Sequence, residues 1–130
     1  TKGVEMHKGS CLCGAVTFQL SGALAPPSVC HCRMCRKMSG HAWASTHVPQ
    51  SALELSGQDS LIWYRASVNA RRGFCGVCGS FLFWQHEEED RISIAMGAFD
   101  TPTGAKLARH IFVDDKGDYY DLEDGLPRQG

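Results

Sequence analysis

Hydrophobic and polar positions alternate over short stretches along most of this chain. Gly14 to Leu20, GAVTFQL, sets Val16, Phe18 and Leu20 on one face, the period-two pattern of a half-buried strand. Trp43 to Val48 is extended up to Pro49. Ala52 to Leu55 and Leu61 to Ala66 (LIWYRA) read as strands on either side of a turn at Gly57. Ser80 to Gln85, Arg91 to Ala95 and Ala108 to Val113 continue the series. Ser21 to Ser28, with Pro26-Pro27, is a turn-rich connector, and Asp115 to Asp118 is a turn. Glu87-Glu88-Glu89-Asp90 reads as a solvated loop, because four consecutive carboxylates in a strand cannot share one face. Only Cys32 to Met38 suits a helix, a short one stopped by Gly40. Many short strands with almost no helical period predict a mainly β chain of packed antiparallel sheets.

Composition adds bounds to that picture. At 130 residues, 43% hydrophobic and 21% charged, the chain suits one globular domain over 1–130 with a core of its own. Met6 is read as the native start, and Thr1 to Glu5 as an expression remnant or a disordered lead-in. Thirteen basic and fourteen acidic side chains give a formal net charge of −1. No basic excess points to nucleic acid, and no apolar run or signal pattern points to a membrane. The cysteine count changes the picture most. Seven is odd, so the thiols cannot all pair, and a reducing cytoplasm is the expected home.

The cysteines fall in three clusters: Cys11-Leu12-Cys13, Cys30-x-Cys32-x-x-Cys35 and Cys75-Gly76-Val77-Cys78. The triplet lies on one tight turn, so its sulfurs can converge on a metal without help. Cys11, Cys13, Cys75 and Cys78 then form an all-thiolate set, which suits tetrahedral zinc. Gly14 and Gly79 each follow a second cysteine and free the backbone for positive φ, so that N–H groups can face the sulfurs. A closed set drawn from both ends of the chain is expected to be structural. Three ligands with a free position are what a catalytic zinc keeps, unless His31, His41, His47, His86 or a carboxylate closes the site. Thiolate donation weakens the metal as a Lewis acid, so thiol chemistry suits this site better than hydrolysis.

Four segments together resemble a known family: GSCLCGAV (Gly9 to Val16), CHCRMCRKMSG (Cys30 to Gly40), GFCGVCGSFLFW (Gly73 to Trp84) and RHIFVDDKGDYYDLEDGLP (Arg109 to Pro127). In order and spacing they are similar to the CENP-V/GFA domain, named for glutathione-dependent formaldehyde-activating enzyme. The resemblance implies a mainly β, Mss4-like fold of packed antiparallel sheets built around two zinc sites. It assigns Cys11, Cys13, Cys75 and Cys78 to a structural zinc and Cys30, Cys32 and Cys35 to a second, open one. The implied activity is that of a carbon–sulfur lyase, run in reverse as condensation of a small thiol such as glutathione with formaldehyde. A non-enzymatic two-zinc module that binds a protein partner is the alternative.

Around the triplet, Arg33, Arg36 and Lys37 read as a solvated helix face, with Arg36 the best candidate for a glutathione carboxylate. Ser39 is a helix cap or a hydrogen-bond donor to a sulfur. His31, between two ligands, is expected to point away from the metal. His41 and His47 read as strand residues or as bases near an open zinc. Trp43, Trp63, Phe83 and Trp84 read as core or sheet-face aromatics, and Arg71 and Arg72 as surface residues.

Overall fold

A computed structural model describes residues 6–100 and 102–130; Thr1 to Glu5 lie outside the described residues. The chain is mainly β. A three-stranded antiparallel sheet, in the order β1 (Met6–Ser10), β2 (Thr17–Ser21), β5 (Leu53–Ser56), packs against a seven-stranded one. The larger sheet contains β3 (Ser28–Cys30), β4 (Trp43–Pro49), β6 (Leu61–Arg65), β7 (Ala70–Cys75), β8 (Phe81–His86), β9 (Arg91–Ala95) and β10 (Arg109–Ile111). Its order is β10-β3-β4-β9-β8-β7-β6. All pairs in it are antiparallel except β10 with β3. Helix α1 (Arg33–Ser39) follows β3. Its N-cap is Cys32, whose sulfur accepts the Cys35 N–H, and Gly40, in the left-handed region, ends it.

The core lies between the two sheets. Val16, Phe18 and Leu20 are buried there with Val48, Phe83, Ile92 and Ile94, and Phe18 packs edge-on against Phe83 at 5.8 Å. Each such side chain contributes about 1.5–3 kcal/mol by leaving water. Leu82 and Phe83 are neighbours in sequence yet both buried. The register shift opposite Gly73 and Phe74 accounts for it, since Gly73 pairs with Phe83 and Phe74 with Phe81, leaving Leu82 as the extra residue of a bulge.

Three strands escape the sequence pattern. β1 is short and carries His7, Lys8 and Gly9; β3 abuts the Pro26-Pro27 connector; β7 reads Ala-Arg-Arg-Gly-Phe-Cys. The reading of Arg72 as a surface residue is corrected here. It is only 4% exposed, because strand alternation turns it away from the core and toward Cys35. Arg71, half-buried, points to the opposite face, stacks over Trp63 at 4.0 Å and donates to Gln85 Oε1.

Candidate metal centres and their cavity

The first cluster joins two knuckles from distant parts of the chain. The ligand atoms of Cys11, Cys13, Cys75 and Cys78 all lie within 4.8 Å of one another. The Cys11–Cys13 and Cys13–Cys75 sulfur separations are 3.6 and 3.8 Å. A tetrahedral zinc with bonds of about 2.3 Å has sulfur–sulfur edges of about 3.8 Å, so the donor set fits. Backbone N–H groups face the sulfurs: Val16 donates to Cys11 at 3.3 Å, and Val77 and Cys78 to Cys75 at 3.4 and 3.5 Å. Gly14 and Gly79, at φ of 82° and 83°, make both knuckles. The Cys78 thiol is drawn down to about 5, chiefly by the Ser80 hydroxyl. Its setting favours the thiolate that a metal needs.

The second cluster comes from one turn. The ligand atoms of Cys30, Cys32 and Cys35 converge within 4.8 Å, and no His, Asp or Glu among the described residues joins that group. Cys30 sits at the end of β3, Cys32 caps α1, and Cys35 is buried on its first turn. Cys30 and Cys35 are hydrogen-bonded to each other. Their mutual hydrogen bond, before burial, pushes Cys30 up, and the same bond, with Arg72 behind it, draws Cys35 down. Arg72 Nη1 lies 3.6 Å from the Cys35 sulfur, while its Nε is buried without a partner. Both clusters can hold a metal ion.

The triplet opens into a cavity of about 830 Å³. Its floor is the face of the large sheet opposite the core, and alternation decides what it shows. Trp43, Ser45 and His47 of β4 line it, while Thr46 and Val48 are buried on the other side. Ser93 pairs with both His47 and Trp84, so one row of β4, β9 and β8 runs across the floor. Arg72 of β7 is paired with Trp84 and extends that row. Arg91 stands on β9 and Arg109 on the edge strand β10, Arg33 enters from α1, and Asp115 is the carboxylate among the lining residues. Arg91 is held by Glu89 at 2.5 Å. Four guanidiniums around a thiol site make a setting for anionic ligands. His47 is kept neutral by burial first and by Arg91 and Arg109 second, both of which lower its pKa.

The other singled-out residues divide between the cavity and the rest of the molecule. Arg36 and Ser39 are not among the residues lining this cavity. Ser39 Oγ donates to the Cys35 carbonyl at 2.7 Å, tying off the helix end. His31 turns to the back of the sheet, to His110 and Tyr120. His41 meets the Tyr119 hydroxyl at 2.6 Å, and His86, which lines the cavity, accepts the Glu88 N–H on Nδ1. Trp43 and Trp84 wall the cavity, while Trp63 and Phe83 pack on the core side. Sequence reasoning missed Arg72, Arg91 and Arg109 as cavity residues. The usable signal was alternation: in RHI and RIS, the arginine shares its face with the next residue but one.

The sequence profile described as "Glutathione-dependent formaldehyde-activating enzyme" (GFA) matches residues 6–115. A Schizosaccharomyces pombe protein named "Uncharacterized lyase" is 27% identical over 119 residues, covering 89% of this chain and 85% of its own. A Halomonas elongata protein named "Putative glutathione-dependent formaldehyde-activating enzyme" is 28% identical over 127 residues, 89% of this chain and 80% of its own. In fold, the chain resembles a crystal structure of a Rhodobacter sphaeroides protein, with a TM-score of 0.61 at 21% identity, covering 95% of this chain and 99% of that one. No described helix is long and apolar enough to cross a membrane. With the profile match spanning both cysteine clusters, the chain belongs to the glutathione-dependent formaldehyde-activating enzyme family.

Proposed function

We propose that this protein is a zinc-dependent enzyme of the carbon–sulfur lyase type, which joins a small anionic thiol such as glutathione to formaldehyde and splits the adduct in reverse. The observation that carries this reading is the unclosed three-sulfur group at the head of an arginine-lined cavity. Zinc held by Cys30, Cys32 and Cys35 would supply an open position that favours a thiol as its thiolate.

The chain's own residues do the rest. Arg33, Arg72 and Arg109 attract the carboxylates of the thiol compound, and Trp43 and Trp84 cover its apolar stem. Arg72, buried beside Cys35, stabilises negative charge on sulfur throughout. Neutral His47 takes up the thiol proton. The sulfur then bonds to the carbonyl carbon, the C=O electron pair moves to oxygen, and the proton returns there. The product is the sum of thiol and aldehyde, with nothing left over. A non-enzymatic partner-binding module would need a fourth side-chain ligand closing the second site, and none of the described residues supplies one. A cytoplasmic location goes with this reading, since seven unpaired thiols suit a reducing compartment.

The test is exchange between 13C-formaldehyde and its glutathione adduct, followed by NMR with the zinc-loaded protein. Acceleration over the spontaneous rate, lost in Cys35→Ser, is expected. Spontaneous rates with glutathione and with other small thiols would overturn the proposal.

A further inference from the structure

The segment from Arg109 onward supplies no ligand to either cluster, yet it delivers a chain of hydrogen bonds to the back of the triplet. Asp124 Oδ2 lies 2.8 Å from His110 Nε2, and His110 Nδ1 lies 2.9 Å from His31 Nε2. His31 Nδ1 lies 2.5 Å from the Tyr120 hydroxyl. His31 and His110 are 1% and 4% exposed. Alternation explains the placement. Arg109 and Ile111 face the cavity, so His110 faces away; Cys30 faces the cavity, so His31, the next residue, faces away too.

With both rings neutral, the donors have one consistent order. A carboxylate only accepts, so His110 Nε2 donates to Asp124. His110 Nδ1, left as an acceptor in the neutral ring, takes the His31 Nε2 proton. His31 Nδ1 in turn accepts from Tyr120. One tautomer of each ring satisfies every bond in the chain. The backbone repeats the connection, since the His31 N–H donates to the Ile111 carbonyl at 3.0 Å. Both ends are anchored. Asp124 Oδ1 accepts the Leu126 N–H at 3.1 Å, and Lys116 bonds to the Tyr120 carbonyl and lies over the Tyr120 ring.

We propose that Asp124, His110, His31 and Tyr120 form a positioning network that fixes the turn carrying Cys30 and Cys32. A ring held at both nitrogens has its side-chain torsions fixed, and His31 is the residue between two of the three ligands. The C-terminal segment thereby sets how firmly the triplet keeps a metal. This rests on the reading of the triplet as a metal site, and the experiment separates the two.

The zinc-loaded wild type, His110→Gln and Asp124→Asn are mixed with a chromophoric chelator, and release is followed in time. In His110→Gln, release from the triplet is expected to be about tenfold faster, with release from the four-cysteine site unchanged. Asp124→Asn keeps an acceptor but loses the charge, and about threefold is expected. Nitrogen-15 spectra of the wild type should show His31 and His110 each protonated on Nε2 alone. Unchanged release in both folded variants, or mixed tautomers in the wild type, overturns the proposal. If the wild type carries a single zinc, the metal reading fails by itself. Alkylation of Cys30, Cys32 and Cys35 in the zinc-loaded chain then decides: faster in His110→Gln supports the network, and equal rates overturn it. Should His110→Gln fail to fold, Asp124→Asn, changed at a half-exposed side chain, carries every readout.

Discussion

The two cysteine clusters use the same donor atom and differ in everything around it. Cys11, Cys13, Cys75 and Cys78 come from two knuckles far apart in sequence, complete a four-sulfur shell and border the main core. Cys30, Cys32 and Cys35 come from one turn, stop at three sulfurs and face a cavity with cations behind them. Ligands distant in sequence constrain the chain, so on the proposed reading the first cluster governs stability. Ligands local in sequence constrain little, which on the same reading leaves the second free for chemistry. What separates a staple from a reactive site here is the reach of the chain between ligands and what the surroundings leave open.

The largest effect expected is on folding. Cys75→Ser breaks the four-sulfur set, whose metal can contribute on the order of 10 kcal/mol, and should leave no cooperative thermal transition by circular dichroism. Cys35→Ser should keep that transition and lose formaldehyde exchange. Equal loss of fold in both variants would erase the distinction. Next come the two faces of β8. Phe83→Ala, in the core, should cost about 3–5 kcal/mol in urea unfolding, whereas Trp84→Ala, on the cavity side, should cost less and raise KM instead. Smaller again is the cation beside the thiols. Arg72→Met should raise KM for an anionic thiol about tenfold, the worth of one charged hydrogen bond. Arg36→Met, outside the lining, should change it by roughly twofold at most.

The smallest effect expected concerns pH. The Asp124 carboxyl is held below the ordinary carboxylate range, first by its hydrogen bond to His110. With a folded pKa below the unfolded value of about 3.9, its contribution is present above that pH and is lost as pH falls through the lowered value. Asp124→Asn should therefore lower the neutral plateau of stability slightly and flatten its acid limb, the two curves converging below the lowered pKa.

Much of this was legible in the sequence. Val16, Phe18 and Leu20 announced a strand by strict alternation, and Arg91 to Ala95 matches β9 end to end. Cysteine spacing alone separated the two clusters, because ligands on a knuckle or a tight turn obey short-range geometry. The cavity was less legible. Its arginines come from four separate elements, and only strand pairing brings Arg72, Arg91 and Arg109 onto one face. β7 hid because two charged residues and a glycine mask its period. The His31–His110 pair joins residues far apart in the chain through the parallel pairing of β10 with β3, which no local pattern encodes.

The most direct test of an open second site beside a closed first one is glutathione binding to the protein loaded with two cobalt ions in place of zinc. Sulfur-to-cobalt charge-transfer absorption grows with each bound thiolate. We expect it to rise on adding glutathione, to saturate, and to be unmoved in Cys35→Ser. Unchanged absorption in the wild type at saturating glutathione would contradict an open thiol-binding position at Cys30, Cys32 and Cys35.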